Sequence, residues 1–487
     1  MGQLTHRVSV WTAALLSASA AAEGSISLVK RDHPAVVSAK LHLNAAAARP
    51  IPVLQARDGT ISAPAVKDSG GYNLNVSIGT PPQPVALLVD ARASGIAVLY
   101  PGADSVECSE ERYCSFYGQF DPRNSSSFTS EKENWREQRP EYFTGLDTLT
   151  LGDSKVTNVS LGLATVDGIS SYSSIGIGPG NTSFVYQLVD QGLISTPSFS
   201  MWRDPVAEVD VEADPGDTPG GIIFGGINAA KFNGPLHAFS FNDTVPTMTV
   251  PVRGVQVHVD PAASFVSTAN SSTSTGAPIT ATFDETPFDL QTRYVISYFP
   301  RDTTMAIYTA LNMTTTRRDD GYYPPPEIPC SRSSENHTIT FLIGSASFDI
   351  PWTAFLSSTN IPSNGQCYFH IHIPTDDAEY PSPYQGTLGS MILSHLYMAV
   401  DYNSMMVGLA PVNQNPGDDD EILEIGTAAP QLPDAEGDFP ETVSAYTPAL
   451  TTETVATETS DGFAASMRTA APGVLPAVAG VVLFGMI

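Results

Sequence analysis

The chain predicts an all-β body, on three observations. Between about residues 70 and 412, short apolar or alternating runs are cut by Gly, Pro, Asn and Ser. Tyr72, Leu74, Val76 and Ile78 alternate with polar residues, as do Leu149 and Leu151, which is the period of a half-buried strand. Only two stretches carry a helical pattern, Phe184 to Gln191 and Thr303 to Leu311, the second following Pro300. Further strands are expected at Gly221 to Phe224, Thr338 to Ile343 and Tyr397 to Val400.

The ends are of a different character. Residues 1–22 place His6 and Arg7 before an apolar run from Val8 to Leu16 and a small-residue tract, the pattern of a secretory signal peptide cleaved near Ala20 or Ala22. Residues 23–57 then hold Lys30, Arg31, Lys40, Arg49 and Arg57 with hardly an acid, and read as a basic, removable pro-segment. Residues 413–460 turn to Asp, Glu, Pro, Thr and Ala with little to bury, which predicts a disordered, O-glycosylated stalk. Residues 461–487 follow as a spacer and an uncharged apolar tail. This fits a glycosylphosphatidylinositol signal with attachment at Ser460; the tail is short for a spanning helix.

Composition narrows the partners. There are 23 Lys plus Arg against 51 Asp plus Glu, a net charge of −28, so a nucleic-acid partner and electrostatic binding to anionic membrane are not expected. Sequons at Asn124, Asn158, Asn181, Asn242, Asn270, Asn312 and Asn336 agree with the secretory pathway, and Asn75 fits the pattern inside a strand. Four cysteines suit two disulfides there, Cys108 with Cys114 in a small loop and Cys330 with Cys367. The spacing is wrong for a metal, and no His cluster accompanies them. Neither metal nor cofactor is therefore expected.

The stretch from Ile78 to Tyr100 reads as strand, acid-bearing loop and returning strand, with Asp90 in the loop. Around it, ordered motifs run IGTPPQ (Ile78 to Gln83), SSIGIGPG (Ser173 to Gly180), QLVDQGLISTPSFSMW (Gln187 to Trp202), GGIIFGG (Gly220 to Gly226), IPC (Ile328 to Cys330) and GTLGSMILSHLYMAVDYNSMMVGLA (Gly386 to Ala410). In this order they resemble the pepsin family of aspartic proteases, in its anchored fungal, yapsin-like branch. The resemblance implies two similar β lobes, 70–245 and 246–412, with a peptide cleft between them. It also implies one Asp-Thr-Gly loop from each lobe. In that chemistry two carboxylates share a proton and activate one water, so both are needed.

The loops depart from this pattern. The first reads Asp90-Ala91-Arg92-Ala93-Ser94, keeping the acid and losing Thr and Gly. If Pro300 opens the helix that follows the second loop, Gln291-Thr292-Arg293-Tyr294 stands in the second position; the rival register uses Asp284 as the second acid. Gln291 cannot exchange a proton, and Arg92 or Arg293 beside Asp90 would hold it ionised in an ion pair. The cleft-covering hairpin, Trp135 to Gly152, lacks the family's glycines and is expected to be reduced. The resulting expectation is a lipid-anchored, monomeric surface glycoprotein. Its dyad is degenerate, and its cleft binds a peptide or a cell-wall glycan without cleaving it. The alternatives are an active aspartic endopeptidase using Asp90 and Asp284, or a structural wall glycoprotein.

Overall fold

In the computed structural model the alternating residues Tyr72–Ile78 form a strand that turns through Gly79, at φ +85°, and returns antiparallel as Gln83–Asp90. A Cβ at Gly79 would lie 2.7 Å from Ser125 Oγ, so the turn requires glycine for both its dihedral and its space. Gln83–Asp90 runs parallel to Ser174–Gly176, with Asp90 opposite Gly176. Ile96–Leu99, leaving the loop after Asp90, pairs antiparallel with Ser174–Gly176 and parallel with Ser154–Ala164.

The second half repeats this plan. Thr249–His258 is antiparallel to Ile279–Gln291, which runs parallel to Gly386–Gly389 with Gln291 opposite Gly389. Ser297–Tyr298, leaving the following loop, pairs antiparallel with Gly386–Gly389 and parallel with Ile371–His372. The fold is therefore all-β and two-lobed, as expected from the sequence. The first lobe belongs to a 14-stranded sheet and the second to a 7-stranded one. Leu87, Val89, Ile175, Leu290 and Leu388 are fully buried behind the two loops. Each such side chain contributes about 1.5–3 kcal/mol of burial, which is why the loops sit on a rigid base.

The structure describes residues 26, 28–30, 34–43, 71–101, 118–138, 140–152, 154–165, 173–203, 218–241, 247–263, 278–319, 321–357, 365–374, 386–416, 420–426 and 445–446. All of them fall in the first of the chain's two compact units, Met1–Pro448. The signal peptide, Cys108, Cys114, Asn242, Asn270, Ser460 and the apolar tail lie outside the described residues. Cys330 and Cys367 form a disulfide. Asn124, Asn158, Asn181, Asn312 and Asn336 are exposed, whereas Asn75 is buried in its strand.

Both expected helices are present, as Phe184–Asp190 and Arg301–Ala310. The second starts after Pro300, buries Thr303, Thr304, Ile307, Tyr308 and Ala310 as one stripe, and stops where Asn312 takes φ +51°. Single helical turns at Trp135–Gln138 and Ser390–Leu393 carry no sequence signal of their own. Trp135 stacks on Phe143 at 5.3 Å, so this turn packs down on the strand Tyr142–Leu151.

Three segments join the sheets in ways the sequence pattern does not show. Val37–Leu43, inside the expected pro-segment, is an internal strand of the large sheet, between Thr218–Phe224 and Tyr72–Ile78. Leu396–Asp401 and Met406–Pro411 join that same sheet beside Ser198–Arg203, so the second lobe's chain ends in the first lobe's sheet. The stalk expected from Asn413 onward contains an ordered strand, Ile422–Ile425, which pairs with both Leu28–Val29 and Gly226–Asn228. Its alternation explains the correction, because Leu423 and Ile425 pack into a core beneath it. Glu424 is also buried, and accepts from Ala35 N–H at 3.3 Å and from the Ser195 hydroxyl.

Candidate active site

Asp90 and Gln291 occupy equivalent positions, each the last residue of its strand and each opposite a glycine of the parallel neighbour. Those glycines are required by crowding. A Cβ on Gly176 would lie 2.5 Å from Gly95 O, and one on Gly389 would lie 2.3 Å from Ile296 O. The two acid-loop frameworks are thus intact, and the difference lies in the side chains they carry.

Asp90 is 6% exposed, and both of its oxygens are engaged. Oδ1 accepts the Arg92 backbone N–H at 2.9 Å, and Oδ2 accepts Arg293 Nη1 from the other lobe's loop at 3.4 Å. Thr292 straps the loops together. Its hydroxyl accepts the Ala91 N–H at 3.0 Å and donates to Val89 C=O at 2.8 Å. Ala91 stands at the matching place in the first loop and, having only a methyl, cannot return the strap.

Gln291, also 6% exposed, donates Nε2 to Asp289 Oδ2 at 2.6 Å. Asp289 is 1% exposed and lies 3.4 Å from Arg92 Nε. Arginines at equivalent loop positions therefore reach acids of the opposite lobe, Arg293 to Asp90 and Arg92 to Asp289. The second reach goes two residues deeper because the position matching Asp90 is a glutamine. Burial pushes the Asp289 carboxyl up to about 7; Arg92 and the Gln291 amide pull it down, and Asp90 adds a like charge that raises it. Burial prevails because Arg92 is 42% exposed and its charge is partly screened by water.

Asp284, the rival second acid, is exposed and lies in the same strand seven residues before Gln291, roughly 23 Å away at about 3.3 Å per residue. The structure does not bring it to Asp90, since Ile279–Gln291 is one long strand and its exposed start points away from the loop. Asp289 was not anticipated. Its signal was an acid inside the apolar run Phe288-Asp-Leu290, on the same face as Gln291 by strand periodicity. No group of three or more His, Cys, Asp or Glu able to hold a metal occurs among the described residues.

Two matched strand–loop–strand units with acid-loop positions at their ends define a pepsin-like class. The family model for eukaryotic aspartyl protease matches residues 71–412, more than half of the chain. The chain belongs to that family. Similar curated proteins include the probable aspartic-type endopeptidase opsB of Aspergillus oryzae, 26% identical over 445 residues, covering 84% of this chain and 83% of that protein. Secreted aspartic protease 10 of Candida albicans is 24% identical over 387 residues, 74% of this chain and 76% of its own. Aspartic proteinase yapsin-3 of Saccharomyces cerevisiae is 23% identical over 368 residues, 71% and 67%.

Proposed function

We propose that this protein is a secreted, surface-held member of its family that binds peptides in the interlobe cleft and does not hydrolyse them. The observation that carries this reading is the second acid position, where Gln291 is committed to Asp289 while Asp90 is held by Arg293. Hydrolysis by a dyad needs one group as base and its partner as acid. An amide supplies neither, and a positioned acid or base is worth about 10²–10⁴ in rate. The relatives named secreted aspartic protease and yapsin support a route to the cell surface. The sequence signal at Ser460 extends this to a lipid anchor. A cell-wall glycan is the other ligand this cleft could hold.

Two measurements test the reading. A mixed peptide substrate at acidic pH is expected to show no turnover beyond that of Asp90→Asn, while a statine-containing peptide still binds by calorimetry. Turnover in the wild type that is lost in Asp90→Asn would make the protein an endopeptidase. Rebuilding the dyad with Ala91→Thr, Arg92→Gly, Gln291→Asp and Arg293→Gly together is expected to raise peptide hydrolysis by roughly 10²–10⁴ over the unaltered protein.

A further inference from the structure

Asp289 and Gln291 lie two residues apart on one face of a strand, at 1% and 6% exposure. The Gln291 amide nitrogen already donates to Asp289 Oδ2 at 2.6 Å. The remaining oxygen of each group, Asp289 Oδ1 and Gln291 Oε1, is buried without a hydrogen-bond partner. Leaving two such acceptors desolvated and unmet is unfavourable, and two acceptors cannot satisfy one another. One proton removes both penalties. A carboxylic acid and a primary amide close a ring of two hydrogen bonds, amide N–H to acid carbonyl and acid O–H to amide carbonyl. The first of these is in place.

We propose that Asp289 is a neutral acid in the folded protein, its Oδ1 proton donated to Gln291 Oε1, and that this acid–amide pair fixes the orientation of the Gln291 amide. Asp289 is then a positioning residue for the site. The family's shared proton is kept in the second lobe, one residue pair below the place where the second acid would stand. The charged groups facing Asp289 are Arg92, from the loop after Gln83–Asp90, and Asp90 itself, which is tied to Arg293. Its strand neighbours Thr249 and Thr387 carry no charge. Burial in this setting raises its carboxyl to about 7, so the neutral form prevails below that pH. Loss of the proton at higher pH breaks the ring and leaves Asp289 as the counter-ion of Arg92.

The full-length protein tests this without a substrate, so failure here is distinct from failure of the catalytic reading. At about pH 6, infrared difference spectra of wild type against Asp289→Asn are expected to show one protonated carboxyl C=O band, which disappears as the pH rises past neutrality. Asparagine can close the same ring with Gln291 but does not titrate. Denaturant unfolding at about pH 5 and about pH 8 is therefore expected to favour the folded wild type, relative to Asp289→Asn, by roughly 100-fold more at the lower pH. Gln291→Met keeps the acid and removes its partner, and is expected to shift the band to higher frequency. Absence of the band in the wild type, an unchanged band in Gln291→Met, or parallel pH dependence of wild type and Asp289→Asn would overturn the proposal.

Discussion

At the scale of single residues the site is held by Thr292, whose buried hydroxyl serves two backbone groups of the opposite lobe. Removing it leaves the Ala91 N–H and the Val89 C=O unmet in the interior. Thr292→Val keeps the shape and loses only the hydroxyl, so it is expected to cost about 1–3 kcal/mol, read from denaturant midpoints at constant slope. Arg293 differs in that its guanidinium is partly exposed and the contact is long. Arg293→Gln is accordingly expected to change stability by less than about 1 kcal/mol. Equal losses in the two variants would mean that the ion pair holds the loops as strongly as the hydroxyl strap does.

At the scale of elements the parallel strands behind the loops tolerate no side chain at their closest approach. Gly176→Ala would drive a methyl toward two backbone carbonyls, Gly95 at 2.5 Å and Ala93 at 2.6 Å, which cannot rotate aside. A loss of about 1–3 kcal/mol or more is expected, visible as a lowered melting temperature, and Gly389→Ala should behave alike. Gly192, with φ +67° and nothing near its absent Cβ, separates dihedral strain from crowding. If Gly192→Ala costs as much as Gly176→Ala, crowding is not what keeps glycine in the strands. The N-terminal strand Val37–Leu43 belongs at this scale too. It hydrogen-bonds to neighbours on both sides, so a chain lacking it would expose two sheet edges.

At the scale of the whole molecule, buried titrating groups set the pH range in which it stays folded. Burial lowers His370 to about 3 and His372 to about 4, and the two rings stack at 5.6 Å. In the unfolded chain they take protons near the usual 6.5. The unfolded state therefore binds more protons as pH falls, and stability is lost from about 6.5 down to 4, by about 2–3 kcal/mol per ring. Asp289 acts in the opposite sense, because its folded carboxyl is raised and holds a proton that the unfolded chain releases. Two imidazoles outweigh one carboxyl, so global stability is expected to decline on acidification. His372→Phe should flatten that decline in a pH series of unfolding curves. An unchanged slope would place the acid sensitivity elsewhere.

Much of this was legible in the chain itself. Alternation marks the strands around Tyr72 and Leu149, Pro300 marks the start of its helix, and the loop departures at Ala91 and Arg92, and on one of two registers at Gln291 and Arg293, are legible against the Asp-Thr-Gly pattern that the family resemblance implies. Three things could not be read this way. The strand at Ile422–Ile425 was hidden in acidic surroundings, since its burial comes from partners about 200 and 400 residues away. Asp284 and Gln291 stood as rival registers for the second position, and only the parallel pairing of Gln291 with Gly389 decided which lay at the site. The crossing of Arg92 to Asp289 and Arg293 to Asp90 depends on two loops meeting in space. Local pattern determines which residues can turn, alternate or ionise; which charges face one another, and which acid is dry enough to keep its proton, is decided by the distances and burial that the packed lobes impose.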